Sequence, residues 1–295
     1  MWVTQMTLRP QTLGMMLLIA GAAVDSTSGL FTRLLQVDGF TTASGRGFFA
    51  FALLFCILLL RDRQRALASV LGLGLWGAVF VGLNASAMVM NVLSLKFTAV
   101  ANFFMIFATA PFVAAVMART FLGERLEFAT LLASVAGFAG IAVMMLGSAQ
   151  AGGMIGNLLA VAVVLSYGAL VLMMRRTPDI DVLPLITMTV LASGLIAWPF
   201  SDFSKMQGSA DWSVMAALGF IQLGLGNMLI YNAISRIPAA QAGLLGILIA
   251  AFAPLWVFIA LREVPPVATL IGGAIILAAA ALHLGWTLRR TPTPA

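Results

Sequence analysis

The run Leu122-Gly-Glu-Arg-Leu-Glu-Phe-Ala-Thr-Leu131 returns 139 residues later as Leu261-Arg-Glu-Val-Pro-Pro-Val-Ala-Thr-Leu270. Leu122 falls on Leu261, Glu124 on Glu263, and Ala129-Thr130-Leu131 on Ala268-Thr269-Leu270. The same offset holds without gaps from about position 94 to 143, where Ala101 meets Ala240. Coincidences of Ala and Leu are common in apolar sequence, but a matched glutamate beside a matched three-residue run is less so. The chain therefore reads as a unit duplicated once, 1–148 and 149–295. In each copy the glutamate sits in the polar break before the last apolar run.

Those apolar runs set the fold class. Of 295 residues, 62% are hydrophobic and 9% charged, with mean hydropathy +1.06; a soluble domain carries roughly 25% charged residues. A helix needs about 20 residues to cross the hydrocarbon core. With that length as a ruler the sequence predicts ten spans: 12–35, 41–60, 67–92, 97–118, 126–147, 153–174, 182–202, 211–233, 239–261 and 266–288. The runs are continuous rather than alternating, which favours an all-α bundle over a barrel. Leu13–Val24 follows Arg9 with no A-x-A-like site and soluble domain behind it, so it reads as the first span rather than a signal peptide.

Basic residues orient the bundle. With the N-terminus in the cytoplasm, the inner ends hold Arg9, Arg61, Arg63, Arg65, Arg119, Arg125, Arg175, Arg176, Arg236, Arg289 and Arg290. The outer ends hold Arg33, Arg46, Lys96, Lys205 and Arg262, so all 16 divide 11 to 5. This bias predicts both termini inside and an even number of spans. Ten spans from a duplication give five per copy. Five is odd, so the two copies have opposite topology. Inverted repeats are a recurrent plan of secondary transporters, with the substrate near the midplane between the halves.

Composition also excludes. The net charge of +6 lies at the ends of apolar runs and not in a nucleic-acid-binding patch. One cysteine, Cys56, and one histidine, His283, make neither a zinc cluster nor an HExxH site. No GxxxxGK[ST] loop, Ser nucleophile elbow or catalytic dyad is present. No enzyme activity, metal or cofactor is expected. An intramembrane lipid enzyme would need clustered ionisable residues at the interface, yet the 10 acids lie mostly in loops. A channel remains a competing class.

Polar residues inside spans are costly and are site candidates by default. Asp25 lies near the middle of the first span, where a carboxylate costs about 2.5–3.5 kcal/mol. It reads either as a substrate-amine or proton-coupling group, or as the ion-pair partner of Arg46. Asn84 and Asn91 share one face of the third span by helical period, and Asn102 and Thr109 repeat that spacing in the fourth. Tyr167 lies in the sixth span, Asn227 and Tyr231 in the eighth, and Gln241 is the repeat-mate of Asn102. Amides suit a zwitterion because they accept from its ammonium and donate to its carboxylate. The competing role for each is an interhelical hydrogen bond, worth about 0.6 kcal/mol. Pro111 and Pro254 are hinge candidates or static kinks. Glu124 and Glu263 are expected to cap helix N-termini.

Ser94-Leu-Lys-Phe-Thr-Ala-Val-Ala-Asn102, Pro111 and Phe121-Leu-Gly-Glu-Arg-Leu126 in the first copy resemble the drug/metabolite transporter superfamily in its ten-helix EamA form. So do Ala233-Ile-Ser-Arg-Ile-Pro-Ala-Ala-Gln241, Ala253-Pro-Leu-Trp256 and Arg262-Glu-Val-Pro265 in the second. Ser26-Thr27 followed by Arg33 is similar to the opening of the YddG-like amino-acid exporters. Asp25 stands where the family often has Trp, and Arg262 where Gly usually precedes the glutamate. The resemblance implies a central cavity from helices 1–4 and 6–9, peripheral helices 5 and 10, and export without ATP hydrolysis. The expected substrate is an amino acid or similar small metabolite, and the expected site a bacterial plasma membrane. A drug-like amphiphile or nucleotide-sugar is the alternative cargo. Membrane lipid is the expected surrounding, nucleic acid is not a partner, and a homodimer is compatible.

Overall fold

The computed structural model describes residues 10–63, 66–124, 127–151, 153–176, 181–234, 236–237 and 244–290. Every regular element among them is helical. Among the described residues nine helices are long and apolar enough to cross a membrane: α1 (Thr12–Leu34), α2 (Gly39–Asp62), α3 (Gly74–Phe97), α4 (Val100–Leu122), α5 (Phe128–Gly147), α6 (Met154–Met174), α7 (Val182–Phe200), α8 (Gly208–Ile230) and α10 (Val267–Thr287). The shorter apolar helix α9 (Leu245–Leu261) stands between the last two. The expected order of ten is thus met, with one boundary corrected. The third span was expected over 67–92. Residues 66–71 instead form a separate short helix. Gly74, in the left-handed region at φ +61°, breaks the chain before α3 begins, a conformation glycine adopts without steric cost.

Caps explain where helices start and stop. Asp38 opens α2, its Oδ1 accepting the Thr41 N–H at 2.9 Å and its Oδ2 the Thr41 hydroxyl at 2.6 Å. Burial pushes the Asp38 carboxyl up, but these donors outweigh it and hold it below its ordinary value. Asp181 opens α7 by accepting the Leu183 N–H at 3.1 Å. Gly123, left-handed at φ +70°, closes α4.

Among the described residues three helices are irregular. α1 is interrupted at Thr27, where the Ser26 and Thr27 hydroxyls donate back to the Ala23 and Val24 carbonyls at 2.7 and 2.6 Å. α4 breaks at Ala108-Thr109. Pro111 follows in the first turn of its second segment, where a missing N–H is tolerated. α8 winds as a π-helix over Ala217–Leu225. Pro254 lies inside the helix Leu244–Leu261.

The packing obeys the duplication. α3 packs on α6 as α8 packs on α1; α4 packs on α6 as α9 packs on α1; α3 packs on α7 as α8 packs on α2. The pairs α2–α7, α4–α9 and α5–α10 each map onto themselves when helix n is exchanged with its repeat-mate, so they lie across the pseudo-twofold axis. Lipid tails are as apolar as leucine, so contact between such helices depends on close van der Waals packing of small residues. In α2–α7, a Cβ on Gly47 would stand 2.8 Å from the Val190 carbonyl. In α5–α10, a Cβ on Gly140 would stand 2.7 Å from the Gly272 carbonyl, and one on Gly272 2.5 Å from that of Gly140. The opposite faces of α5 and α10 show Leu132, Val135, Leu270 and Leu282 outward, as lipid-facing helices do.

The two ends of the bundle differ. At one end, Glu263 pairs with Arg33 at 3.2 Å and its Oε1 accepts the Val100 N–H at 3.2 Å. Arg33 also donates to the Thr98 carbonyl at 2.8 Å, and Lys96 to that of Leu35 at 2.7 Å. The capping role expected of Glu263 is therefore real, but the helix capped is α4 in the other repeat. Trp198, Phe203 and Trp212 cluster at this end in contacts of the kind found at membrane interfaces. At the other end Arg61 pairs with Asp62 and Asp181, tying α2 to α7. Replacing Gly140 or Gly272 by Leu forces α5 and α10 apart. Each variant is expected to lose about 1–3 kcal/mol of stability, read as a lower melting temperature in detergent micelles; an unchanged melting temperature would contradict this packing.

Candidate functional site

A partly open cavity of about 160 Å³ lies between α1, α2, α3, α4, α6 and α8. The interrupted turn of α1 brings Asp25 and Ser28 to its wall, and α2 brings Arg46. Trp256 fixes that turn from α9, donating to the Ser26 hydroxyl at 2.9 Å.

The two charges do not neutralise each other directly. Asp25 Oδ1 accepts from Gln222 Nε2 at 2.7 Å. Arg46, 3% exposed, donates from Nη2 to the Met88 carbonyl at 2.7 Å. Among the described residues no direct ion pair joins them. Asn84 and Asn91 face the cavity from α3 together with Ala87 and Met88, as an unbroken 3.6-residue period requires.

Gln222 and Asn227 both face it from α8. On an α-helix residues five apart differ by about 140° in direction. The π segment, with its i→i+5 bonding, brings them round to one side.

The remaining wall is aromatic. Phe103 stacks on Phe107 at 5.9 Å, and Tyr167 of α6 meets Phe107 edge-on at 5.7 Å. A second, apolar cavity lies toward the Arg61 end, lined by Leu54, Ile57, Leu183, Ile186 and Met228; Asn227 borders both.

Five of the residues singled out in the sequence therefore line one cavity: Asp25, Asn84, Asn91, Tyr167 and Asn227. Asn102 does not. It is 2% exposed and belongs to a polar knot outside the cavity. Its Nδ2 donates to Thr98 Oγ1 at 2.9 Å and to Asn157 Oδ1 at 3.2 Å, and its Oδ1 accepts from the Thr269 hydroxyl. That knot joins α4, α6 and α10. The physical reason is helical direction: the face of α4 carrying Phe103, Phe104 and Phe107 meets the cavity, and Asn102 points away from it. Thr109 is buried too, bonded to the Ile106 carbonyl at 2.6 Å. The Tyr231 side chain and Gln241 lie outside the described residues. The sequence reading missed Gln222 and the three phenylalanines, and took Arg46 as an outer-end charge and a partner for Asp25. An amide in the run Leu218–Leu225 was the available signal for Gln222.

An all-helical bundle of two repeats around a cavity of charged, amide and aromatic side chains is the architecture of a multi-pass membrane protein. The EamA-like transporter family matches residues 12–146 and 154–285. The chain belongs to that family, with its domain present twice. A solved structure described as "Crystal structure of protein" is 20% identical to it. Their alignment covers 95% of this chain and 100% of that one, with a TM-score of 0.63, and shows the shared fold. Among curated proteins none matches the chain.

The geometry separates two sets of asparagines. In a Cys56→Ala background, Asn84→Cys and Asn91→Cys should react with a small membrane-impermeant thiol reagent, whereas Asn102→Cys should not. Equal labelling of all three would contradict the placement of Asn102. Asn102→Leu should instead lower stability by about 1–3 kcal/mol, because it strips partners from buried Asn157 and Thr269.

Proposed function

We propose that this transporter exports amino acids, or small metabolites of similar size and polarity, by alternating access through the Asp25–Arg46 cavity. The YddG-like amino-acid exporters that its sequence resembles supply the analogy. The observation that carries the reading is a carboxylate and a guanidinium on one cavity wall, each held by a neutral partner and neither paired to the other. A zwitterion is the complement of that arrangement: its ammonium faces Asp25 and its carboxylate faces Arg46. The asparagine amides serve either end, and the aromatic wall takes an apolar side chain. A neutral amino acid with a large or aromatic side chain fits best.

The ends of the bundle support alternating access. The Arg33–Glu263–Val100 contacts bind the first repeat to the second at one end. Opening there requires their release while the other end closes, which is the rocking of inverted repeats about a fixed site. Pro111 and Pro254 mark the helices able to bend. The 11-to-5 distribution of basic residues supports cytoplasmic termini, and the short loops fit a bacterial plasma membrane; a C-terminal reporter that fluoresces only in the cytoplasm should be bright. The second reading, export of a drug-like amphiphile, draws on the phenylalanine wall. A nucleotide-sugar is disfavoured because Arg46 is the one basic residue among the described residues that line the cavity.

Uptake of radiolabelled amino acids into liposomes carrying the purified protein tests the proposal. Saturable uptake of neutral amino acids is expected. Asp25→Asn and Arg46→Gln should each lower uptake at limiting substrate by about tenfold or more, the worth of a hydrogen bond to a charged group. Acceleration by a pH gradient that disappears in Asp25→Asn would assign proton coupling to that carboxylate; indifference to the gradient would mean uniport. No amino-acid uptake above empty liposomes overturns the amino-acid reading, and transport of an amphiphilic cation instead would establish the second.

A further inference from the structure

Gln222 is 3% exposed and its amide is half satisfied. Nε2 donates to Asp25 Oδ1 at 2.7 Å, while Oε1 is buried and accepts from no group among the described residues. The orientation is not free. An ionised carboxylate only accepts hydrogen bonds, so the donor half of the amide must face it and the acceptor half is left over. At membrane depth no lipid atom can satisfy that oxygen, and a buried unpaired acceptor is costly. Its backbone is also held firmly. The π segment that carries it is pressed onto α2 through Gly219, where a Cβ would stand 2.8 Å from the Arg46 carbonyl. A unique winding, a glycine contact and an unmatched acceptor thus converge on one cavity residue.

We propose that Asp25 and Gln222 together form a subsite for a primary ammonium group, and that Gln222 makes the site select N–H-bearing over quaternary ammonium compounds. The proposal rests on the reading of this cavity as the transport site and names the end of the substrate held by α1 and α8. The chemistry follows from counting donors. An ammonium of the R–NH₃⁺ type brings a positive charge and three N–H groups. One N–H goes to Asp25 Oδ2, leaving Oδ1 with Gln222 Nε2. A second N–H goes to Gln222 Oε1, the acceptor that has no partner among the described residues. Both acceptors are satisfied at once. An alcohol brings one donor and no charge. A carboxylate brings acceptors only and meets the like charge of Asp25. A quaternary ammonium brings the charge without a donor and leaves Oε1 unpaired. Sites built to hydrogen-bond a ligand reject the analogue that lacks the donor far more strongly than apolar pockets reject a change of size. The aromatic wall works in the opposite sense, because ring faces attract quaternary ammonium groups, so the preference is a direct measure of the Asp25–Gln222 pair. Arg46 on the same wall repels a second cation, which disfavours diamines.

Binding to the full-length protein in detergent micelles, measured by calorimetry, tests this without requiring transport. The probes are phenethylamine, its N,N,N-trimethyl derivative, phenylalanine and N-acetylphenylalanine. In the wild type, phenethylamine and phenylalanine should bind, with the trimethyl and N-acetyl compounds weaker by about tenfold or more. Gln222→Met should bring phenethylamine and its trimethyl derivative to within about threefold of each other, while Gln222→Asn, which keeps an amide, should retain the order. A role confined to packing would weaken all probes alike and leave their ratio unchanged, and that result overturns the proposal. Equal wild-type binding of the primary and quaternary amines overturns it too, with no variant needed. If phenylalanine is carried into liposomes but the amine ratio is absent, the ammonium subsite falls and amino-acid transport stands. If the ratio is present but no amino acid is carried, the subsite stands and the cargo is an amine of another kind.

Discussion

Hydrocarbon offers no hydrogen-bond partner, and that constraint shapes this protein from the single residue to the bundle. A carboxylate at Asp25 and a guanidinium at Arg46 can stand at membrane depth only beside protein dipoles or water. Gln222 and the Met88 carbonyl supply the dipoles, and the cavity supplies access to solvent. The irregular parts of α1, α4 and α8 obey the same constraint. Broken helix is tolerated at membrane depth where it lines a cavity or is covered by protein. Here it does both: the α1 and α8 irregularities carry Asp25 and Gln222, while the α4 break is covered by α5 and α6.

The same solvent removes the usual driving force for helix association, so small residues and buried polar knots take over. Glycines let α2 approach α7 and α5 approach α10 at backbone contact. Thr98, Asn102, Asn157 and Thr269 then join α4, α6 and α10 through side-chain hydrogen bonds. The contacts are symmetric in pattern and unequal in detail. Glu263 reaches across to the first repeat at one end, whereas Glu124, its repeat-mate, belongs to the opposite end. An inverted repeat allows each half to take the other's role, and a carrier uses that exchange to expose one site to two sides.

Much of the architecture was legible in the sequence because it depends on length and composition. Spans of sufficient apolar length, their number and the duplicated Glu-containing breaks required no knowledge of contacts. The third span was misplaced because Gly74 acts through a positive φ, which hydropathy does not register. The site was only partly legible. Asn84 and Asn91 could be paired because α3 keeps a regular period between them. Asn102 was assigned to the cavity by the same spacing argument and lies elsewhere, since a period fixes which residues share a face but not what that face meets. Gln222 was passed over because five residues separate it from Asn227, a spacing that opposes them on an α-helix.

The sequence by itself determined the membrane environment, the helix count and the inverted duplication, because each is a property of apolar run length and of where polar breaks recur. It also narrowed the chemistry to a few polar residues that hydrocarbon would penalise. Only the tertiary structure decided which of those residues share a cavity. That choice depends on the rotation of each helix about its axis, and the rotation is set by backbone contact at glycines and by one stretch of π winding in α8. Neither leaves a trace in composition or in regular period, and the pairing of Asp25 with Gln222, 197 residues away in sequence, became visible only when the halves were packed together.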